Sequence, residues 1–262
     1  MSEKPILFSG PMVRAILEGR KTQTRRIIKP QSLIPDTWSQ WGDEARQAVI
    51  RHHCPYGKVG DVLRVKETHA FRADGQRTQI AYAADGRWGA TSQDWMFFPH
   101  GWVVGTSQDL EQKGKWVGRS YFGKWRPSIF MPLWACRIKR EIVNVRAERL
   151  QDISEEDARA EGVEEITFDG MHGWKDYYGG LPLLHTAKES FATLWDSLNA
   201  KPKPLYCNVN GKKQIYYYVS YPWEDIQEMR EYRGKPWRVT GNPRVWPIEF
   251  RRMEQINAKE IQ

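Results

Sequence analysis

The chain reads as an α+β fold in which short strands predominate and a few helices flank them. Three observations carry that expectation. β-Branched, partly alternating runs recur along the 262 residues. Helical periodicity is confined to brief windows, and Gly, Pro and Asn-Gly turn signals separate the two kinds of segment. One domain interrupted by two aromatic-rich insertions, at about 86–126 and 201–240, accounts for the length, and such a chain buries a core without disulfides or metal.

Ile6 to Ser9 forms a short strand, after which Pro11 opens a helix with Met12, Ile16 and Leu17 on one face and Val13 beside them. Gly19 ends that helix. Thr22 to Ile28 is β-branched and reads as a strand stopped by Pro30. Residues 31–57 show no sustained period and are assigned a loop with a short helix. Gly60-Asp61 turns into a strand over Val62 to Thr68 that places Leu63, Val65 and Glu67 on one face, with a partner strand expected around Gln79 to Ala83. The 86–126 insertion, rich in Trp, Phe and Tyr, reads as β-structure with rings packed on one another.

Beyond it, Ile138 to Val145 alternates as a long half-buried strand, and Ser154 caps an acidic first turn of a helix ending before Gly162. A further helix over Ala187 to Leu198 should bury Phe191, Leu194, Trp195 and Leu198. In the 201–240 insertion, Asn210-Gly211 between two strand-like runs marks a two-residue hairpin. Val245 to Phe250 returns to the main sheet, with Pro247 pointing to an edge.

The net charge is +8, which favours encounter with phosphate-bearing partners. Cys54, Cys136 and Cys207 are far apart, so neither a disulfide framework nor a zinc site is expected, and the adjacent His52, His53 and Cys54 lack a second ligand pair. No apolar run approaches the roughly 18 residues a membrane helix needs. The expectation is a cytoplasmic protein with no cofactor and no membrane partner, the insertions being available to a protein partner.

Chemistry concentrates near the N-terminus, where Arg14, Arg20, Lys21, Arg25, Arg26 and Lys29 face only Glu18. Lys21 and Thr24 stand three apart inside that basic turn. On a regular strand such residues point to opposite faces, so a joint role requires the backbone to bend or bulge between them. Glu67, the charged end of an otherwise apolar strand face, is a further acidic candidate.

Gly19, Lys21 and Arg26, with Ala158 to Gly162, resemble the ASCH domain family, whose signature Gly-x-Lys-x-x-Glu-x-Arg lies on a PUA-like β-barrel. The resemblance extends over Ile6 to Pro30, Gly60 to Thr68, Met131 to Val163, Leu194 to Asn199 and Asn242 to Phe250, in the order found in ASCH proteins of phages and prophages. It covers somewhat under half the chain and leaves both insertions unexplained. It implies a PUA-like mixed β-barrel with two or three flanking helices. Thr24 stands where that signature has glutamate, which is similar to a branch of N4-acetylcytidine amidohydrolases with the pattern Gly-x-Lys-x-x-Thr-x-Arg. In that branch the lysine, the threonine and a glutamate of a later helix are catalytic; the resemblance carries these roles to Lys21, Thr24 and Glu161.

The chemistry so implied is amide hydrolysis on a modified nucleoside. A desolvated Lys21 crowded by Arg20, Arg25 and Arg26 takes the Thr24 proton, amides near Gly19 or an arginine hold the oxyanion, and Glu161 protonates the departing amine. Gly19, Arg20, Arg25, Arg26 and Glu67 would line the substrate or nucleic acid. The same residues also allow a non-catalytic reading: Lys21 and Arg26 on phosphate, Thr24 capping a turn, Glu161 paired with an arginine, and the pocket holding RNA, DNA or a flipped base.

Overall fold

The computed structural model describes residues 1–74, 77–85, 88–92, 116–117, 120–122 and 124–253. It is mixed α+β, dominated by strands, with four α-helices among the described residues. The chain divides into two compact units, one of Met1–Glu18, Pro55–Val143 and Phe250–Gln262, the other of Gly19–Cys54 and Asn144–Glu249.

In the first unit, strand Glu3–Leu7 runs parallel to Val62–Lys66, which runs antiparallel to the start of Ile138–Val145. Ile6, Leu63, Val65 and Ile138 are buried, so the alternating positions face the interior as their periodicity predicts. The helix Gly10–Leu17 starts at Pro11 and buries Val13, Ala15 and Ile16, while Leu17 on its last turn is exposed. Gly19 then takes φ +80°, the left-handed conformation that glycine adopts without steric penalty.

The strand expected near residue 80 is present as Arg77–Tyr82, but it pairs with His69–Asp74 and not with Val62–Lys66. Both edges of Val62–Lys66 are already occupied by Glu3–Leu7 and Ile138–Val145. His69–Asp74 and Arg77–Tyr82 belong to a five-stranded antiparallel sheet with Trp88–Ser92, Ser120–Phe122 and Trp116–Val117. Trp95, Phe97, Phe98 and Trp102, expected to pack within the first insertion, lie outside the described residues.

In the second unit, Gln23–Ile27 pairs antiparallel with residues 245–249 of the final strand, and Glu148–Arg149 pairs with Arg244 and Val245. Pro247 is therefore not at an edge. Its carbonyl accepts from Arg146 N at 3.0 Å, so the missing proline N–H falls beside residues 146–147, where the neighbouring strand is already interrupted.

The helices Glu155–Ala160 and Ala187–Asn199 share a core of Leu150, Ala158, Ala187, Phe191, Trp195 and Val245. The longer helix begins with a capping box: the Thr186 hydroxyl accepts from Glu189 N and the Glu189 carboxylate accepts from Thr186 N, each at 3.1 Å. The Glu155 carboxylate also accepts from Ala187 N and Lys188 N, placing a second anion at that positive helix end. Phe191 and Trp195 are buried as expected, but Leu198 is exposed because the last helical turn runs past the core.

The second insertion is a four-stranded sheet ordered Lys203–Val209, Lys212–Ser220, Lys235–Thr240, Gln227–Tyr232. Asn210 and Gly211 turn its first hairpin, both with positive φ. Gly241 leaves that sheet in contact with the 224–226 turn: a Cβ there would lie 1.8 Å from Glu224 O and 2.5 Å from Ile226 N. Gly241→Ala is expected to lower stability in urea unfolding by about 3 kcal/mol or more through backbone displacement. Gly211→Ala, at φ +74° but in open space, is expected to lose only about 1 kcal/mol.

Candidate functional site

Three successive contacts, one from a side chain and two from the backbone, bring Lys21 to Glu161. Arg20 Nη1 donates to Gly162 O at 3.0 Å, Lys21 and Glu161 face each other in an isolated antiparallel bridge, and Thr22 N donates to Ala160 O at 2.9 Å. The end of the helix Glu155–Ala160, fixed by its Ser154 cap, thereby lies against the segment that enters strand Gln23–Ile27.

Lys21 is 2 % exposed and Glu161 5 %. The ammonium donates to Glu161 Oε2 at 2.8 Å and to the Glu161 carbonyl at 2.7 Å. Burial moves the lysine below its ordinary value near 10.5, assisted by the positive fields of Arg26 and Arg25 and opposed by Glu161. The tendency toward a neutral amine expected from the sequence therefore has desolvation as its leading cause.

Arg25 completes the network from strand Gln23–Ile27. Its side chain is fully buried; Nη2 lies 2.7 Å from Glu148 Oε1 and 2.7 Å from Asp157 Oδ2, and Nη1 lies 3.3 Å from Glu161 Oε1. With its amide oriented to satisfy its neighbours, Gln23 donates to Asp157 and accepts from Arg25. Arg146 spans Asp157 at 2.7 Å and Glu249 at 2.6 Å. Burial alone would raise Asp157, but the hydrogen bond and charge of Arg25, with Arg146, hold it below the ordinary carboxylate value. For Arg25, burial is likewise outweighed by Glu161, Glu148 and Asp157, and its value is raised.

Strand alternation sorts the remaining candidates. Gln23 and Arg25 project to the ion network, so Thr24 and Arg26 project to the other face, opposite Ile248 and Trp246 in register. Thr24 is buried and Arg26 half-buried. Lys21 lies outside the strand and Thr22 falls between the bridge and the first strand residue, so regular pairing is interrupted between Lys21 and Thr24. Gly19 and Arg20 are exposed.

Glu67 belongs to the first unit, where Arg137 grips it in bidentate fashion at 2.9 and 3.0 Å. The same guanidinium reaches both oxygens of Asp85 at 2.9 Å and sits 4.0 Å from the Tyr82 ring centroid. Burial raises Glu67 against the opposing pull of Arg137 and pushes the Tyr82 phenol to about 12. Arg64 and Lys66 lie on the other strand face, as alternation requires, and Arg137 is the partner the sequence did not indicate.

Glu148, Asp157 and Arg146 were also not singled out from sequence. Asp157 carried a signal, as an acidic residue four positions before Glu161 on one helical face. No family model, no curated protein and no solved structure matches the chain.

Removing one member of a buried ion network leaves the others uncompensated. Glu161→Gln should therefore lower stability by about 3–5 kcal/mol in urea unfolding. Lys21 also generates a pH dependence. Because its proton leaves the folded chain below the 10.5 of the unfolded chain, the unfolded state binds more protons between the two values, and this group makes stability rise with pH through that window. Unfolding curves taken as pH rises toward 10.5 should show this rise in the wild type relative to Lys21→Met.

Proposed function

We propose that the chain is an amidohydrolase that removes the acyl group from N4-acetylcytidine or a related modified nucleoside. The observation that carries this reading is the buried Lys21–Glu161 pair, a base and an acid 2.8 Å apart in a desolvated setting that favours the neutral amine. The PUA-like ASCH assignment belongs to the same proposal and rests on the residues Gly19, Lys21, Thr24, Arg26 and Glu161.

In this mechanism neutral Lys21 takes the proton of Thr24 as its hydroxyl adds to the acyl carbonyl. The oxyanion is stabilised by amides of the Gly19 turn or by Arg26. A proton passes from the Lys21–Glu161 pair to the cytosine amine, the C–N bond breaks, and cytidine leaves with the acyl group held as an ester on Thr24. Water then adds to that ester, releasing the carboxylic acid and restoring the threonine hydroxyl. Arg25, Glu148 and Asp157 act as positioning residues by fixing the Glu161 carboxylate.

A second reading is favoured by one observation: Thr24 alternates away from the face that carries Arg25. If the Lys21–Glu161 pair is purely structural, the same basic segment serves a non-catalytic module for RNA, DNA or a modified base.

Purified protein incubated with N4-acetylcytidine should release cytidine, followed by chromatography. Lys21→Ala and Thr24→Ala should each lower turnover by about 100-fold or more, assayed at a temperature where circular dichroism shows each variant still folded. The rate should rise with pH to a plateau reached below 10.5, where Lys21 becomes neutral. Absence of cytidine from the wild type would favour the binding reading.

A further inference from the structure

The four-stranded sheet of the second insertion carries a site separate from the Lys21–Glu161 pair, sharing only Lys29 with the basic segment of the second reading. A cavity of about 930 Å³ lies between one face of that sheet and residues 29–31, large for a ligand pocket. Cross-strand register sets its wall: Leu205 stands opposite Tyr217, Val219 opposite Arg238, and Arg238 opposite Met229, so these side chains share one face. Tyr221 extends the wall and Lys29 closes it from the facing segment.

Its chemistry is rings with unneutralised cations beside them. The Arg238 guanidinium carbon lies 5.7 Å from the Tyr217 ring centroid and Lys29 Nζ lies 5.6 Å from that of Tyr221. Both cations are exposed, and neither has an ion-pair partner among the described residues. Glu228, the acidic residue in the lining, is bridged by Arg230 instead. Farther along the hairpin, exposed Lys213 sits 4.2 Å from the centroid of exposed Tyr206. Residues 201–240 hold eight Lys and Arg against four Asp and Glu, a net of +4 and hence half of the whole chain's +8.

We propose that this pocket binds single-stranded nucleic acid, with a base resting against the Tyr217–Tyr221 wall and Lys29 and Arg238 on flanking phosphates. Aromatic faces paired with solvent-facing cations form the platform that unpaired bases and their backbone require, whereas duplex bases are not available to stack. An apolar ligand would leave both cations unused. The site is independent of catalysis at Lys21.

The test is fluorescence anisotropy on the full chain with a labelled single-stranded RNA of about 15 nucleotides, the same DNA sequence, and the duplex. Single strands should bind in preference to duplex, and the tighter of RNA and DNA identifies the sugar accepted. The exposed double variant Lys29→Gln/Arg238→Gln should weaken binding about tenfold or more and reduce the slope of log K against log salt by about 1.4, or two phosphate contacts at about 0.7 each. Tyr217→Leu should weaken binding without changing that slope. Unchanged affinity and slope in the double variant, equal binding of duplex, or displacement by polyglutamate as effective as by unlabelled RNA would each overturn the proposal.

Discussion

A carboxylate placed between two buried cations must be delivered there by separate pieces of backbone, and in the second unit those pieces are the C-terminal end of helix Glu155–Ala160 and the segment entering strand Gln23–Ile27. Glu161 holds Lys21 with one oxygen and Arg25 with the other. Desolvating three charges is unfavourable unless each finds its partner. The local geometry is organised around that condition: Ser154 fixes where the helix begins, Ala160 and Gly162 accept hydrogen bonds from Thr22 and Arg20, and Asp157 and Glu148 engage the rest of the Arg25 guanidinium.

The parts of this arrangement that sequence reveals are those governed by local chemistry. The helix around Ser154, the Asn210-Gly211 hairpin and the strand between Lys21 and Pro30 follow from caps, turn residues and β-branching, and each is found near its expected place. The Lys21–Glu161 meeting was reached through resemblance to a motif, because residues 140 apart carry no local signal of contact. Arg137 escaped for the same reason: nothing in the strand that ends at Glu67 indicates which distant guanidinium will neutralise it.

The misread elements share a different cause. Pro247 lacks a donor, and from sequence that argues for an edge; the structure instead aligns it with an interruption in the neighbouring strand. Leu198 continues the apolar stripe of its helix, but the core ends before the helix does. In both, the local rule is sound and the neighbour decides the outcome. The Thr186–Glu189 capping box, by contrast, is legible as Thr-x-x-Glu ahead of an apolar stripe.

The strand Gln23–Ile27 divides its residues between two environments by simple alternation, Gln23 and Arg25 to the charged network and Thr24 and Arg26 to the opposite side. A substitution here removes the contacts of one side chain and leaves the alternation of the others in place. Loss or gain of a single residue between Gly19 and Arg25 acts differently, since a shift by one exchanges the two sides at once and sends a threonine into a cluster of carboxylates. The length of this segment, and not only its composition, therefore decides which side chains meet the carboxylates.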